Sequence, residues 1–230
     1  MTDPQNNLQG ETIELKASDG VSISAYRVRP SGRVRGGIVL LQEIFGVNAH
    51  IRSVADGYAR QGYDVIAPAL FDRVERGVEL GYDSEGLTKG RSFPAQLGFD
   101  KPLLDVAAAV GQLSASGKVG IVGYCWGGSL AFLAAARVAG LSAAVGYYGS
   151  VIAKNADEKP RVPTILHFGD KDKSIPPSDV ELIRKQRPEV TIYTYAAEHG
   201  FNRDVTPSYD KASAELALSR TLALFEQHVG

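Results

Sequence analysis

The chain has one cysteine among its 230 residues, a scarcity that excludes an intramolecular disulfide framework and any zinc site built from several cysteines. It also lacks an excess of either charge. Lysine and arginine number 25 against 26 aspartates and glutamates, a formal net charge of -1, so there is no field of the kind that gathers a polyanion. Nucleic acid is therefore not an expected partner. No apolar run approaches the roughly 20 residues of a spanning helix. Residues 1–10 are polar, without the charged start and apolar stretch of a secretory signal. A cytoplasmic protein that does not engage membranes is expected, with 1–10 a flexible tail. Repeats, low-complexity tracts and an interdomain linker are missing as well. With 44% hydrophobic content, 230 residues suffice for one sizeable core, so a single domain over 1–230 is expected.

What is present alternates between strand and helix patterns. Segments 11–17 and 21–28 alternate polar and apolar residues around Ser18-Asp19-Gly20, which predicts a hairpin. Residues 37–42 form a short continuous apolar run of the sort buried on both faces of a parallel sheet, and 49–61 has helical character before a strand over 64–67. Residues 70–98, rich in glycine, charge and aromatics, predict a long excursion over the sheet edge with one short helix. Beyond it the spacing predicts helices over 102–113, 126–139, 177–186 and 209–229, and strands over 119–124, 143–148, 164–168 and 190–195. This alternation predicts an α/β fold with a mostly parallel central sheet and helices on both faces, in which ligands bind beyond the carboxyl ends of the strands.

The lone cysteine falls at one such strand end. Gly123-Tyr124-Cys125-Trp126-Gly127-Gly128 reads Gly-x-nucleophile-x-Gly between an apolar strand and an alanine-rich helix. A nucleophile on a sharp strand-to-helix turn needs neighbours without side chains, and the helix N-terminus favours a thiolate and offers backbone N–H groups to an oxyanion. A lone cysteine is otherwise commonly a small buried hydrophobe, so partners in the right order are required. In hydrolases of this kind the order is nucleophile, acid, histidine. After the 164–168 strand, Gly169-x-x-Asp172-x-x-Ile175-Pro176 resembles the loop that carries the acid, which favours Asp172 over Asp170. After the 190–195 strand, His199 stands where a base can reach over the nucleophile. His50 opens a helix ahead of the elbow, His167 lies within an apolar strand as a core residue, and His228 sits at a frayed end.

These residues resemble the dienelactone hydrolase (carboxymethylenebutenolidase) family of the α/β-hydrolase superfamily. The resemblance is carried by Gln42-Glu43-Ile44-Phe45-Gly46-Val47-Asn48, the elbow, Gly146-Tyr147-Tyr148-Gly149 and His199-Gly200-Phe201, in that order. It implies a Cys125-His199-Asp172 triad, an oxyanion hole from the backbone N–H groups of Ile44 and Trp126, and a catalytic role for Glu43, whose carboxylate bonds the resting thiol. It further implies that Arg203 grips a substrate carboxylate, for which a planar guanidinium is suited, and that Tyr147 contacts substrate. Read as a residue only, Glu43 is a charge ending an apolar strand, for which a salt bridge is an equal account. Two departures stand out: the family's second carboxylate-binding arginine has no clear counterpart, with Arg91 or Lys89 as substitutes, and Gly200 replaces the family's usual serine.

The implied activity is hydrolysis of a small lactone or ester, with no cofactor or metal and with a monomer or small homo-oligomer. A broad carboxylesterase or thioesterase is the alternative, distinguished by the effect of Arg203→Ala on anionic substrates. A non-catalytic small-molecule-binding member of the fold would show no burst with an activated ester.

Overall fold

The computed structural model describes residues 8–230, so most of the tail expected over 1–10 lies outside the described residues. Strands β1 (Glu11–Lys16) and β2 (Ser22–Val28) form the expected hairpin. Its turn is closed by Asp19, whose carboxylate accepts the Val21 N–H at 3.2 Å. β2 buries alternate residues along most of its length and β1 buries Leu15 with Ile13 half-buried, whereas every residue of β3 (Gly36–Leu41), β4 (Tyr63–Pro68), β5 (Val119–Tyr124) and β7 (Thr164–Gly169) is buried. That difference is what one-sided antiparallel and two-sided parallel positions require. With β6 (Leu141–Tyr147) and β8 (Thr191–Tyr195), they make one eight-stranded sheet in the order β1-β2-β4-β3-β5-β6-β7-β8. Pairing is antiparallel around β2 and parallel from β4 to β8.

Helices cover both faces. α3 (Asp100–Leu113) and α4 (Trp126–Arg137) lie on one, where Gly37 of β3 faces Leu113. On the other, α1 (Ala49–Arg60) and α6 (Lys211–His228) meet through Tyr58 and Phe225, and Gly120 of β5 faces Phe225. α5 (Pro177–Gln186) buries Val180 and Ile183 between β7 and β8 in sequence. This is the α/β-hydrolase architecture that the alternation of elements and the elbow imply. No helix among the described residues is long and apolar enough to cross a membrane.

Two expectations need correction. The 70–98 excursion holds more than one short helix: after a 3-10 turn over Leu70–Arg73 comes α2, a 14-residue helix over Ser84–Leu97. Asp83 caps it by accepting the Gly86 N–H at 2.7 Å, a contact worth about 1 kcal/mol. The excursion is laced to the loop after β3, where the Leu80 N–H reaches the Phe45 carbonyl at 2.9 Å and Gly46 bridges Glu79. Second, the C-terminal end is tied down beyond His228: Val229 is buried, and the Gly230 carbonyl accepts from Arg35 at 2.8 Å and Tyr63 at 3.0 Å.

Candidate active site

Cys125 occupies the junction of β5 and α4 with φ 55° and ψ -119°, a left-handed φ that L residues rarely adopt. The turn is tight enough that a Cβ at Gly123 would lie 1.9 Å from the Gly127 carbonyl oxygen. The Cys125 N–H donates to the Tyr147 carbonyl at 3.0 Å, and its own carbonyl accepts from Ser129 at 3.2 Å. Backbone bonds on both sides therefore fix the strained residue and aim its half-buried side chain beyond the sheet.

The loops after β7 and β8 deliver the other two residues. Asp172 is buried; its Oδ1 accepts the Ser174 N–H at 2.8 Å, and its Oδ2 accepts from His199 Nδ1 at 2.7 Å. This bond assigns the proton to Nδ1 and turns Nε2 toward sulfur, 3.3 Å from Cys125 Sγ. Burial by itself would lower the proton affinity of the ring. The bond to Asp172, then the bond to Cys125 and the charges of both, outweigh it and raise the His199 pKa to about 10. Asp170 is exposed and takes no part. His167 is a core residue, bonded to the Tyr195 hydroxyl at 2.7 Å and to Thr221 at 3.2 Å, and burial lowers its pKa to about 3.

Glu43 follows β3 and is 1% exposed. Its Oε1 lies 3.3 Å from Arg203 Nε, an ion pair without hydrogen-bond alignment, and its Oε2 accepts from the Tyr82 hydroxyl at 3.2 Å. Sulfur faces His199, and Glu43 makes no bond to it. Arg203 also donates to the His199 carbonyl at 3.3 Å and lies over the Tyr82 ring at 5.4 Å. The glycine after the histidine has a spatial reason: Gly200 has φ +75°, and a Cβ there would lie 1.8 Å from Arg203 Nη2. The positive φ strains any residue with a Cβ at this position, and the guanidinium would have to move aside to admit a serine.

These residues open onto a cavity of about 350 Å³ whose lining includes Ile44, Trp126, Leu87, Arg91 and Ser150. Trp126 begins α4, where N–H groups have no intrahelical acceptor, and among the described residues the Ile44 N–H makes no turn or loop bond. Of the two candidate second cations, Arg91 lines the cavity, whereas Lys89 is bound to Glu75 at 2.7 Å. Tyr147 is a correction: its side chain points into the core, its hydroxyl 2.7 Å from Thr221 and its ring 4.5 Å from that of His167. The next residue, Tyr148, is the one whose ring approaches His199, at 5.0 Å. Sequence reasoning missed both Tyr148 and Tyr82. The Tyr147-Tyr148 pair was a visible signal, but side chains alternate along a strand, and its exact end decides which tyrosine faces the site. Among the described residues no group of three or more His, Cys, Asp or Glu side chains is arranged to hold a metal ion.

Comparison with known proteins agrees with this architecture. Residues 23–229 match the Dienelactone hydrolase family. Carboxymethylenebutenolidase of Pseudomonas putida is 34% identical over 229 residues, covering 92% of this chain and 94% of its own. The enzyme of that name from Pseudomonas knackmussii is likewise 34% identical over 92% of this chain and 94% of its own. A solved Klebsiella pneumoniae protein with a provisional dienelactone hydrolase name superposes with TM-score 0.86 at 28% identity, covering 97% of this chain and 100% of that one. In sequence and in fold alike, the chain belongs to the dienelactone hydrolase family.

Proposed function

We propose that the protein hydrolyses a small lactone or ester of the dienelactone type through an acyl-enzyme on Cys125, with His199 as base and Asp172 as the acid that orients it. Family membership makes the chain an ester or lactone hydrolase; the assignment of the steps is ours. The observation that carries it is the unbroken relay from Asp172 Oδ2 to His199 Nδ1 at 2.7 Å and from Nε2 to Cys125 Sγ at 3.3 Å. The thiolate attacks the carbonyl carbon, forming a C–S bond, while the Ile44 and Trp126 N–H groups take up the oxyanion. Collapse expels the ester oxygen, which receives the proton held on His199; in a lactone this oxygen remains tethered to the acyl group. Water, deprotonated by His199, then cleaves the thioester and returns the thiolate.

Arg203 is the residue for a substrate carboxylate, with Arg91 a second cation at the cavity wall. Glu43 shares Arg203 until substrate arrives, and in the state in which Cys125 is a neutral thiol it is the acceptor for that thiol. The test is hydrolysis of a p-nitrophenyl ester and a dienelactone by wild type and Cys125→Ala. We expect a loss of roughly a thousandfold or more; equal rates remove Cys125 from the mechanism. A second reading, a broad carboxylesterase indifferent to substrate charge, is favoured by the pairing of Arg203 with Glu43, which leaves less positive charge for substrate. If Arg203→Ala leaves KM for carboxylate-bearing lactones unchanged, that second reading holds.

A further inference from the structure

Among the described residues, four polar atoms around Cys125 are buried without a hydrogen-bond partner: Glu43 Oε1, Trp126 Nε1, Arg203 Nε and the Tyr148 hydroxyl. Glu43 Oε1 and Arg203 Nε at least face each other across 3.3 Å, whereas the Tyr148 hydroxyl has no such counterpart. Buried polar groups are bonded in the great majority of cases, and an exception calls for a reason. Tyr148 is also held in place with unusual firmness. It is fully buried, its backbone is left-handed at φ 38°, and its ring packs 5.0 Å from that of His199 and 5.4 Å from that of Phe201. Burial first, and then the charge of Glu43, push its pKa well above the ordinary phenol range, so the group keeps its O–H proton.

We infer that Tyr148 is a positioning residue that takes over Glu43 when Arg203 turns to an anionic substrate, an inference that rests on the reading of Arg203 as the carboxylate-binding residue. Glu43 is 1% exposed, and its charge is met by Arg203 and by Tyr82 at 3.2 Å. Withdrawing one partner of a buried pair is strongly unfavourable because the other charge is left uncompensated. A substrate carboxylate drawing on Arg203 is therefore resisted unless another donor serves Oε1. The Tyr148 hydroxyl, buried and uncommitted beside Cys125, is a donor free to turn to it. Two tyrosines, one for each carboxylate oxygen, then hold Glu43 while the guanidinium serves the substrate.

The test compares p-nitrophenyl monosuccinate, which carries a free carboxylate, with neutral p-nitrophenyl butyrate. Tyr148→Phe removes one oxygen and keeps the ring on His199. We expect it to lower the anionic-to-neutral ratio of kcat/KM about tenfold, or about 1.4 kcal/mol, mainly through KM for the succinate. In a Glu43→Gln background, where no charge needs cover, the same substitution leaves the ratio unmoved. Equal losses on both esters, as general loosening of the site produces, overturn the inference, and so does an unchanged ratio. Arg203→Ala separates the two levels. If it abolishes the preference while Tyr148→Phe preserves it, Arg203 stands and the role of Tyr148 falls; if it leaves the preference intact, both fall.

Discussion

Two neighbouring tyrosines show how sharply position decides a residue's work. Tyr147 sends its hydroxyl to Thr221 in the core, and Tyr148 lies against the imidazole. Tyr147→Phe should therefore cost about 1 kcal/mol in urea unfolding, the net worth of a buried hydrogen bond, and leave KM unaltered; a raised KM would return Tyr147 to the site. His199 makes a prediction with a definite sign. Its folded pKa, about 10, lies above its unfolded value of 6.5. The stability it contributes is thus complete below pH 6.5 and is lost as pH rises through about 10. Thermal melts should show wild type losing more stability than Asp172→Asn between pH 7 and 10, and parallel curves would refute the pairing. The triad types and their order could be read from sequence because each follows a strand whose apolar run marks its end. The Glu43-Tyr82 bond could not, since it joins segments 39 residues apart through a loop of weak pattern.

Among the elements, α2 is the instructive one. Its sequence carries Gly86, Gly90 and Pro94, residues that argue against a helix, and its apolar positions are few. The structure supplies the reason for Gly90: a Cβ there would lie 2.2 Å from the Ile44 carbonyl oxygen. The helix needs a bare backbone to lie against the loop after β3, and the same requirement hides it from a propensity reading. The peptide that Gly90 touches adjoins the proposed oxyanion donor. Gly90→Ala, neutral or helpful in an isolated helix, should here force α2 or Ile44 to shift and reduce kcat for the p-nitrophenyl ester by about tenfold or more, in line with displacing a positioned group. Full activity would show that the contact yields without disturbing the oxyanion site. The strands were legible within a residue or two because their patterns report burial on one face or two.

At the scale of the whole molecule, the sheet places the ends of β3, β5, β7 and β8 along one rim, and the loops beyond those ends carry Glu43, Cys125, Asp172 and His199. The far face is closed by α6 through Phe225, which is fully buried against Tyr58 at 6.2 Å and Tyr63 at 6.1 Å. Phe225→Ala should cost roughly 3–5 kcal/mol, as deletion of a buried aromatic ring does, seen as a lowered urea midpoint; a change under about 1 kcal/mol would mean that this face repacks freely. Strand order was not written in any local pattern, because it depends on which crossover each helix makes, and right-handed connections only narrow the choices.

The single sulfhydryl of the chain has a chemical corollary. If peroxide converts it to a sulfenic acid, no second thiol in the same chain can condense with it, so revival depends on a small thiol entering the 350 Å³ cavity from outside. Without such a rescuer, a further oxidation step leaves a sulfinate and ends the molecule's working life.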